Sequence, residues 1–312
     1  MSKVFIVPGR NSQNLAARIS EVSGYPLAEI KWTDFSDGET KPKYEDNIRG
    51  AVLYIVNSTN APDRNLKDIL LLSDAAVRAS ATEIISVIPY FGGQRQERKD
   101  EGRVPITAML NIQLLEAAGV QKIVAMDLHA DAIQAFFKRF DHLYASYLFV
   151  PYIENLGLKD LIFASPDTGG GKRVEKYAEY FNVDFAICYK QRAKGPDEIK
   201  TMRLLGDVKD KDVIVFDDMI DTAGSVEFCV NLIRDKGARS IRFFATHPVF
   251  SGKAYDRMKA MSDVMFVVTD TIPLEKKFLD LPNLDVVSSH VLLADVISRD
   301  VKNESISSLF VF

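Results

Sequence analysis

Short apolar runs punctuate the chain: KVFIV (3–7), AVLYIV (51–56), EIISVI (83–88), KIVAM (122–126), LIFAS (161–165), DVIVF (212–216), SIRFFAT (240–246) and VMFVV (264–268). Most are separated by stretches whose apolar positions recur at helical spacing, the alternation expected of strands buried on both faces and joined by crossover helices. The spacing predicts helices over 63–80, 106–118, 170–181 and 225–236, and the second and fourth are each followed by a helix-stopping glycine, Gly119 and Gly237. An α/β fold with mostly parallel sheets follows. The series helix, AAGVQK, strand (117–126) is echoed by helix, DKGARS, strand (235–246), which suggests two similar halves. No linker composition marks their junction, and the boundary is placed near 147, giving domains 1–147 and 148–312.

Length and composition fit such a pair of domains: 312 residues, 47% of them hydrophobic and 26% charged. The formal net charge of -4 provides no general basic field for nucleic acid or anionic lipid, so any anion site must be local. No apolar run reaches the length of a membrane span and the N-terminal run is broken by Pro8, so the expectation is a cytoplasmic protein. Cys188 and Cys229 have neither metal-ligand spacing nor a disulfide framework and read as core thiols.

In open parallel sheets the ligand crevice lies at the carboxyl ends of the strands, which directs attention to the residues after each apolar run. After DVIVF come Asp217 and Asp218, an unfavourable pair to bury without partners, then Asp221-Thr222-Ala223-Gly224-Ser225 leading into a helix. Backbone N–H groups at a helix start suit a phosphate, and ionised carboxylates suit a vicinal diol, so together they suggest a ribose phosphate. A capped helix with acids at its positive end is the plain alternative, and it leaves the adjacent acids unexplained. IFASPDTGGGKR (162–173) is a second strand-to-helix turn able to approach an anion; Pro166 and Arg173 exclude a Walker A loop, and an ordinary tight turn is the alternative. KIVAMDLHAD (122–131) sets Asp127, His129 and Asp131 past a strand, where hard oxygen ligands favour magnesium beside phosphates; a histidine that is simply a satisfied polar group is the alternative. His142, His247 and His290 have no comparable setting and read as structural. PYFGGQRQERKDEGR (89–103) is either a solvated loop or a hinged lid whose Arg95, Arg98 and Lys99 close over a polyphosphate.

These loops, in this order, resemble the ribose-phosphate pyrophosphokinases, also called phosphoribosyl pyrophosphate synthetases. DDMIDTAGS (217–225) is similar to that family's ribose 5-phosphate loop, SPDTGGGKR (165–173) to its pyrophosphate loop, MDLHADAIQAFF (126–137) to its metal and ATP segment, and PYFGGQRQERKDEGRVPITA (89–108) to its ATP-binding segment. FSDGE (35–39) and SGKA (251–254) extend the likeness over essentially the whole chain.

The resemblance implies two Rossmann-like, phosphoribosyltransferase-type domains, the first on the ATP and metal side, the second carrying the ribose 5-phosphate and pyrophosphate loops. It implies a reaction in which the anomeric hydroxyl of ribose 5-phosphate attacks the β-phosphorus of magnesium-ATP and AMP leaves. It implies roles as well. Lys190 and Arg192 are the catalytic cations; Phe35, Asp37 and Glu39 receive adenine, from a neighbouring subunit; Arg95, Gln96, Asp100 and His129 bind ATP. Asp217, Asp218 and Asp221 face the ribose hydroxyls, and Thr222, Ala223, Gly224 and Ser225 the 5-phosphate. Asp167, Thr168, Gly169 and Gly170 form the pyrophosphate loop, with His129 and Asp167 as the Mg2+ ligands. The implied partners are ATP, ribose 5-phosphate and copies of the same chain, a homo-oligomer for which the family suggests a hexamer, with no nucleic acid and no membrane. Departures are Gly93, Gln94 and Glu97, where the family commonly has an aromatic residue, a small residue and an aspartate, and Pro248 and Lys253, where it more often has Gly and Pro. The alternatives are a nucleobase phosphoribosyltransferase, against which the ATP segment and DLHAD argue, and a silent regulatory paralogue, against which Lys190, Arg192 and His129 argue.

Overall fold

The structure, a computed structural model, describes residues 3–192 and 199–312, with side chains outside 190–202. The chain divides into two compact units. The first comprises the residues up to Ala145, with Thr271–Pro273 and Ser288–Phe310; the second comprises Ser146–Asp270, Leu274–Val287 and the last two residues. The division therefore differs from contiguous domains over 1–147 and 148–312, because the segment from Ser288 returns to the first unit.

The first unit runs β1 (Val4–Pro8), α1 (Gln13–Ser23), β2 (Ile30–Asp34), β3 (Thr40–Tyr44), β4 (Val52–Val56), α2 (Arg64–Arg78), β5 (Glu83–Ile88), α3 (Thr107–Ala117), β6 (Lys122–Met126) and β7 (Phe140–Leu143). Among the described residues its sheet has the order β1-β4-β5-β6-β7, every pair parallel. Strand residues alternate between two buried faces. Phe5, Val7, Leu53, Ile55, Ile84, Ile88 and Ile123 pack with Ile69, Leu72 and Ala76 of α2 and Ile112 and Leu115 of α3. β2 and β3 form a separate antiparallel ribbon.

The second unit runs α4 (Ser146–Asn155), β8 (Leu161–Ser165), α5 (Gly171–Phe181), β9 (Phe185–Arg192), β10 (Ile199–Leu205), β11 (Asp212–Ile220), α6 (Gly224–Asp235), β12 (Ser240–Pro248), α7 (Ala254–Ala260), β13 (Val264–Thr269), α8 (Lys276–Leu279) and β14 (Leu284–Val287). Its sheet order is β10-β9-β8-β11-β12-β13-β14 among the described residues, parallel except for the edge strand β10. One face carries Val213, Val215 and Phe243 against Val226, Cys229 and Ile233 of α6. The other is aromatic, with Phe216 stacked on Tyr177 at 4.0 Å and Phe149 set edge-on to Phe244. Cys188 and Cys229 are fully buried free thiols with Sγ atoms 3.0 Å apart, as core thiols should be.

The last helix, α9 (His290–Lys302), packs beside α1 in the first unit. It is tied there by charge. Lys122 Nζ sits 2.7 Å from Asp141 and 2.6 Å from Asp300, and Tyr54 donates to the other oxygen of Asp300 at 2.8 Å. Burial works against the Lys122 ammonium, but the hydrogen bonds to Asp141 and Asp300 outweigh it and raise its pKa.

Candidate active site

In the second unit, the strand expected to stop at Phe216 runs on to Ile220. The two neighbours of β11 explain why. Pairing with β8 ends at Val215↔Ala164, while pairing with β12 continues through Met219↔His247 to Ile220↔Pro248. Asp217 and Asp218 therefore sit on a strand that is half edge, sheet-bonded on one side and open on the other. The Asp218 N–H, past the last β8 partner, is taken by Asp217 Oδ1 at 2.9 Å. Burial first, then the charge and hydrogen bonding of Asp218, push the Asp217 carboxyl well above the ordinary range; Arg173 opposes the shift and Asp167 adds to it. A pair of carboxylates under mutual repulsion is primed for hydroxyl donors that would satisfy it.

The turn that follows is held from outside. Ala223 adopts φ 58°, ψ 14°, a left-handed conformation uncommon for a residue with a side chain, and precedes α6 with no side-chain cap. The capped-helix alternative thus finds no support: neither hydroxyl of the turn caps α6, whose first N–H groups have no intrahelical acceptor. Ser251, from the SGKA match, and Arg257, which the sequence pattern did not single out, brace the backbone. Ser251 hydrogen-bonds the Asp221 carboxylate through its hydroxyl and the Asp221 carbonyl through its N–H, the latter at 3.0 Å. Arg257 donates to the Thr222 carbonyl at 2.8 Å and lies 3.2 Å from Glu227. Asp221, expected to face ribose, is in this structure part of that brace.

The second loop also differs from its simplest reading. Asp167 Oδ1 accepts the N–H groups of Gly169 at 2.9 Å and Gly170 at 3.1 Å, so two donors offered to an anion are occupied from within. Gly170 is required sterically, since a Cβ there would lie 2.5 Å from Ser165 Oγ. Lys190 and Arg192 belong to β9 by backbone, but their side chains lie outside the described residues.

In the first unit the segment after β5 is anchored at its start and exposed further on. A Cβ on Gly92 would stand 1.9 Å from the Thr59 carbonyl oxygen, and the Gly92 N–H donates to Thr59 Oγ1 at 2.7 Å. Gln94 is fully buried, and its Oε1 accepts the His129 N–H at 3.0 Å, so one departure from the family pattern supports the very segment that carries His129. His142 does the same. Its Nε2 accepts the Leu128 N–H at 2.8 Å, which places its proton on Nδ1, 3.5 Å from Asp131. Asp127 is structural too, accepting the Ala145 N–H at 3.0 Å from a buried position with φ 34°. The His129 side chain itself is exposed, as are Arg95, Gln96 and Asp100; the Gln96 side chain accepts a hydrogen bond from Thr107. Phe35, Asp37 and Glu39 occupy the exposed tip of the β2–β3 ribbon, where Asp37 accepts the Glu39 N–H at 2.9 Å.

Family models match both ends of the chain. Residues 4–119 match the N-terminal domain of ribose phosphate pyrophosphokinase, and residues 182–311 match the phosphoribosyl synthetase-associated domain. A ribose-phosphate pyrophosphokinase of Porphyromonas gingivalis is 43% identical over 309 residues, covering 98% of this chain and 97% of the relative. The chain belongs to the ribose-phosphate pyrophosphokinase family. A ribose-phosphate pyrophosphokinase of Campylobacter jejuni is 42% identical over 98% of each chain. The crystal structure of a phosphoribosylpyrophosphate synthetase from Mycobacterium smegmatis superposes with a TM-score of 0.90 at 34% identity, over 97% of this chain and all of that one. Membership in the pyrophosphokinase family supports the synthetase over the nucleobase transferase alternative and carries the α/β architecture of both units.

Proposed function

We propose that the half-edge acids of β11 and the turn before α6 form the ribose 5-phosphate site at which this chain carries out its family's reaction, transfer of pyrophosphate from ATP to ribose 5-phosphate with release of AMP. The observation that carries this reading is the loss of the β8 partner beyond Val215, which leaves two mutually repelling carboxyls beside an uncapped helix start. Asp217 and Asp218 accept the ribose hydroxyls. The N–H groups of Thr222, Ala223, Gly224 and Ser225, with the hydroxyls of Thr222 and Ser225, hold the phosphate, and Ser251 and Arg257 keep that turn in shape. The reaction requires the anomeric hydroxyl to attack the β-phosphorus in line with the bond to the departing AMP. In phosphoryl transfer positioning and cations supply most of the acceleration, which is the role of Lys190 and Arg192.

ATP is assigned to Arg95, Gln96, Asp100 and His129 of the first unit, with adenine on Phe35, Asp37 and Glu39 supplied by another copy in a homo-oligomer. The pyrophosphate group is assigned to the 167–170 loop, where the ligand must displace Asp167 Oδ1 from the Gly169 and Gly170 N–H groups. That displacement turns the Asp167 carboxylate outward. Among the described residues no three His, Cys, Asp or Glu side chains gather as a metal cage. Magnesium keeps several water ligands and binds through one or two carboxylates and the substrate's phosphates. Asp167 and His129 are the groups assigned to it, and when bound it neutralises charge on the transferred phosphates. Among the described residues no helix is long and apolar enough to cross a membrane.

Chromatography of the nucleotide product tests the reaction. With magnesium, ATP and ribose 5-phosphate the chain should release AMP, and omission of the sugar should abolish release; ADP, or no product, refutes the proposal. Lys190→Ala should lower kcat far more than it raises either KM, and an unchanged kcat removes the role given to Lys190.

A further inference from the structure

Arg10 stands just past the carboxyl end of β1, and no role has been assigned to it. Its guanidinium is engaged on three sides within the first unit. Nε donates to Asp68 Oδ2 at 2.9 Å and Nη2 to Asp68 Oδ1 at 2.5 Å, a two-pronged grip on a residue of α2. Nη1 donates to Asp34 Oδ1 at 2.8 Å, and the guanidinium carbon lies 4.1 Å from the centre of the Trp32 ring. Asp68 is fully buried, so its charge requires a partner, and the pKa of Arg10 is raised chiefly by that hydrogen bond.

Trp32 and Asp34 lie on β2 of the two-stranded ribbon, outside the main sheet. An isolated two-stranded ribbon is marginal, so contacts with the body decide where its tip points. At the base, Tyr44 donates to the Leu72 carbonyl of α2 at 3.1 Å and pairs across the ribbon with Ile30. Nearer the tip, Arg10 supplies the hold: Asp34 pairs with Thr40, and the next residue is Phe35.

We propose that Arg10 is a positioning residue for ATP: anchored on Asp68, it fixes through Trp32 and Asp34 the direction of the FSDGE tip, and with it the platform of Phe35, Asp37 and Glu39. This rests on the assignment of that tip to adenine. A guanidinium suits the task because it forks onto one carboxylate, reaches a second and still presents a flat face to an indole, which a lysine ammonium does not do.

The test uses the full-length protein in its native assembly and leaves the buried pair intact. Asp34→Asn combined with Trp32→Leu removes the ribbon side of the contact without stranding Asp68. The expected result is a rise in KM for ATP of roughly three- to thirtyfold, from the sum of one exposed ion pair and one cation–π contact. The kcat and the KM for ribose 5-phosphate should stay near parent values, with only a modest fall in melting temperature from the lost packing of Trp32 on the core of the first unit. Arg10→Lys should raise KM for ATP by a smaller factor. Phe35→Ala is the companion measurement. If Phe35→Ala leaves KM for ATP unchanged, the adenine assignment falls and Arg10's role with it. If Phe35→Ala raises that KM and the double variant does not, the tip reading stands and Arg10's role is overturned. A uniform loss of kcat, both KM values and thermal stability in the double variant would also overturn it, since that is the pattern of a merely structural contact.

Discussion

Replacing Asp217 by Asn separates two consequences of one carboxyl. In the free protein that group is strained by burial and by Asp218, and its pKa is raised. Between the ordinary carboxylate range and the raised value, the folded chain holds a proton that the unfolded chain has released. Stability therefore falls as pH rises through that window, and above it the parent bears the full cost. Asparagine keeps the shape and removes the charge. The second unit should gain about 1 kcal/mol above that window, the usual scale for relieving strain at a functional site. That corresponds to a melting temperature higher by roughly 2–4 °C. The gain should shrink as pH falls and the parent's Asp217 takes up its proton. Function should move the other way. Each hydroxyl bond to a charged acceptor contributes about 1.5–3 kcal/mol, so KM for ribose 5-phosphate should rise roughly ten- to a hundredfold while KM for ATP holds. Calorimetry across pH and initial rates of AMP release against sugar concentration read the two effects. A variant with parent-like KM for the sugar, or one that melts lower above that pH window, would refute the reasoning that this acid is held under repulsion for a diol.

Other elements yield sharper stability tests. Lys122→Met should destabilise the first unit by on the order of 2–3 kcal/mol in denaturant titration, because Asp141 and Asp300 lose their shared cation in a partly buried site. The deficit should persist through the neutral range, since the raised pKa of Lys122 keeps its ammonium charged until well above it. In the second unit the Arg239 guanidinium, against the cost of burial and with help from Ser240 and the Lys159 N–H, holds the Asp212 carboxyl down at about 2. A depressed carboxyl stabilises above its ordinary value, about 3.9, and loses that contribution as pH falls toward its folded value. Arg239→Ala should therefore shift acid unfolding of this unit to higher pH, as followed by circular dichroism; an unchanged acid midpoint would show that the pair contributes nothing.

Local pattern carried a good deal of this protein. Helices expected over 106–118 and 170–181 form at Thr107–Ala117 and Gly171–Phe181, and the runs EIISVI, KIVAM and LIFAS are strands from end to end. These elements are legible because a strand buried on both faces must be apolar throughout, and a helix packed on one side must repeat at its own period. The loops drew attention for a related reason: glycines, paired acids and hydroxyls at strand ends have few uses in a core.

What local pattern does not contain is which neighbour a backbone meets. DVIVF looks finished at Phe216, and only the unequal lengths of β8 and β12 alongside it carry β11 four residues further and leave its acids half at an edge. Gly169 and Gly170 read as open donors until Asp167 folds back onto them. Ser251, Arg257 and Gln94 were given no bracing role by the local pattern, yet each hydrogen-bonds a candidate site segment from a distant part of the chain. The segment after Ser288 follows the second unit in sequence and belongs to the first, where Asp300 meets Lys122 and Tyr54. The amino-acid sequence by itself determined the parallel α/β class, most of its elements and which residue types stand at their ends, because periodicity and side-chain type are properties of single segments. Tertiary structure alone decided where β11 stops pairing, what braces the turn before α6 and which unit holds the last helix, because each depends on residues that only folding brings within hydrogen-bonding reach.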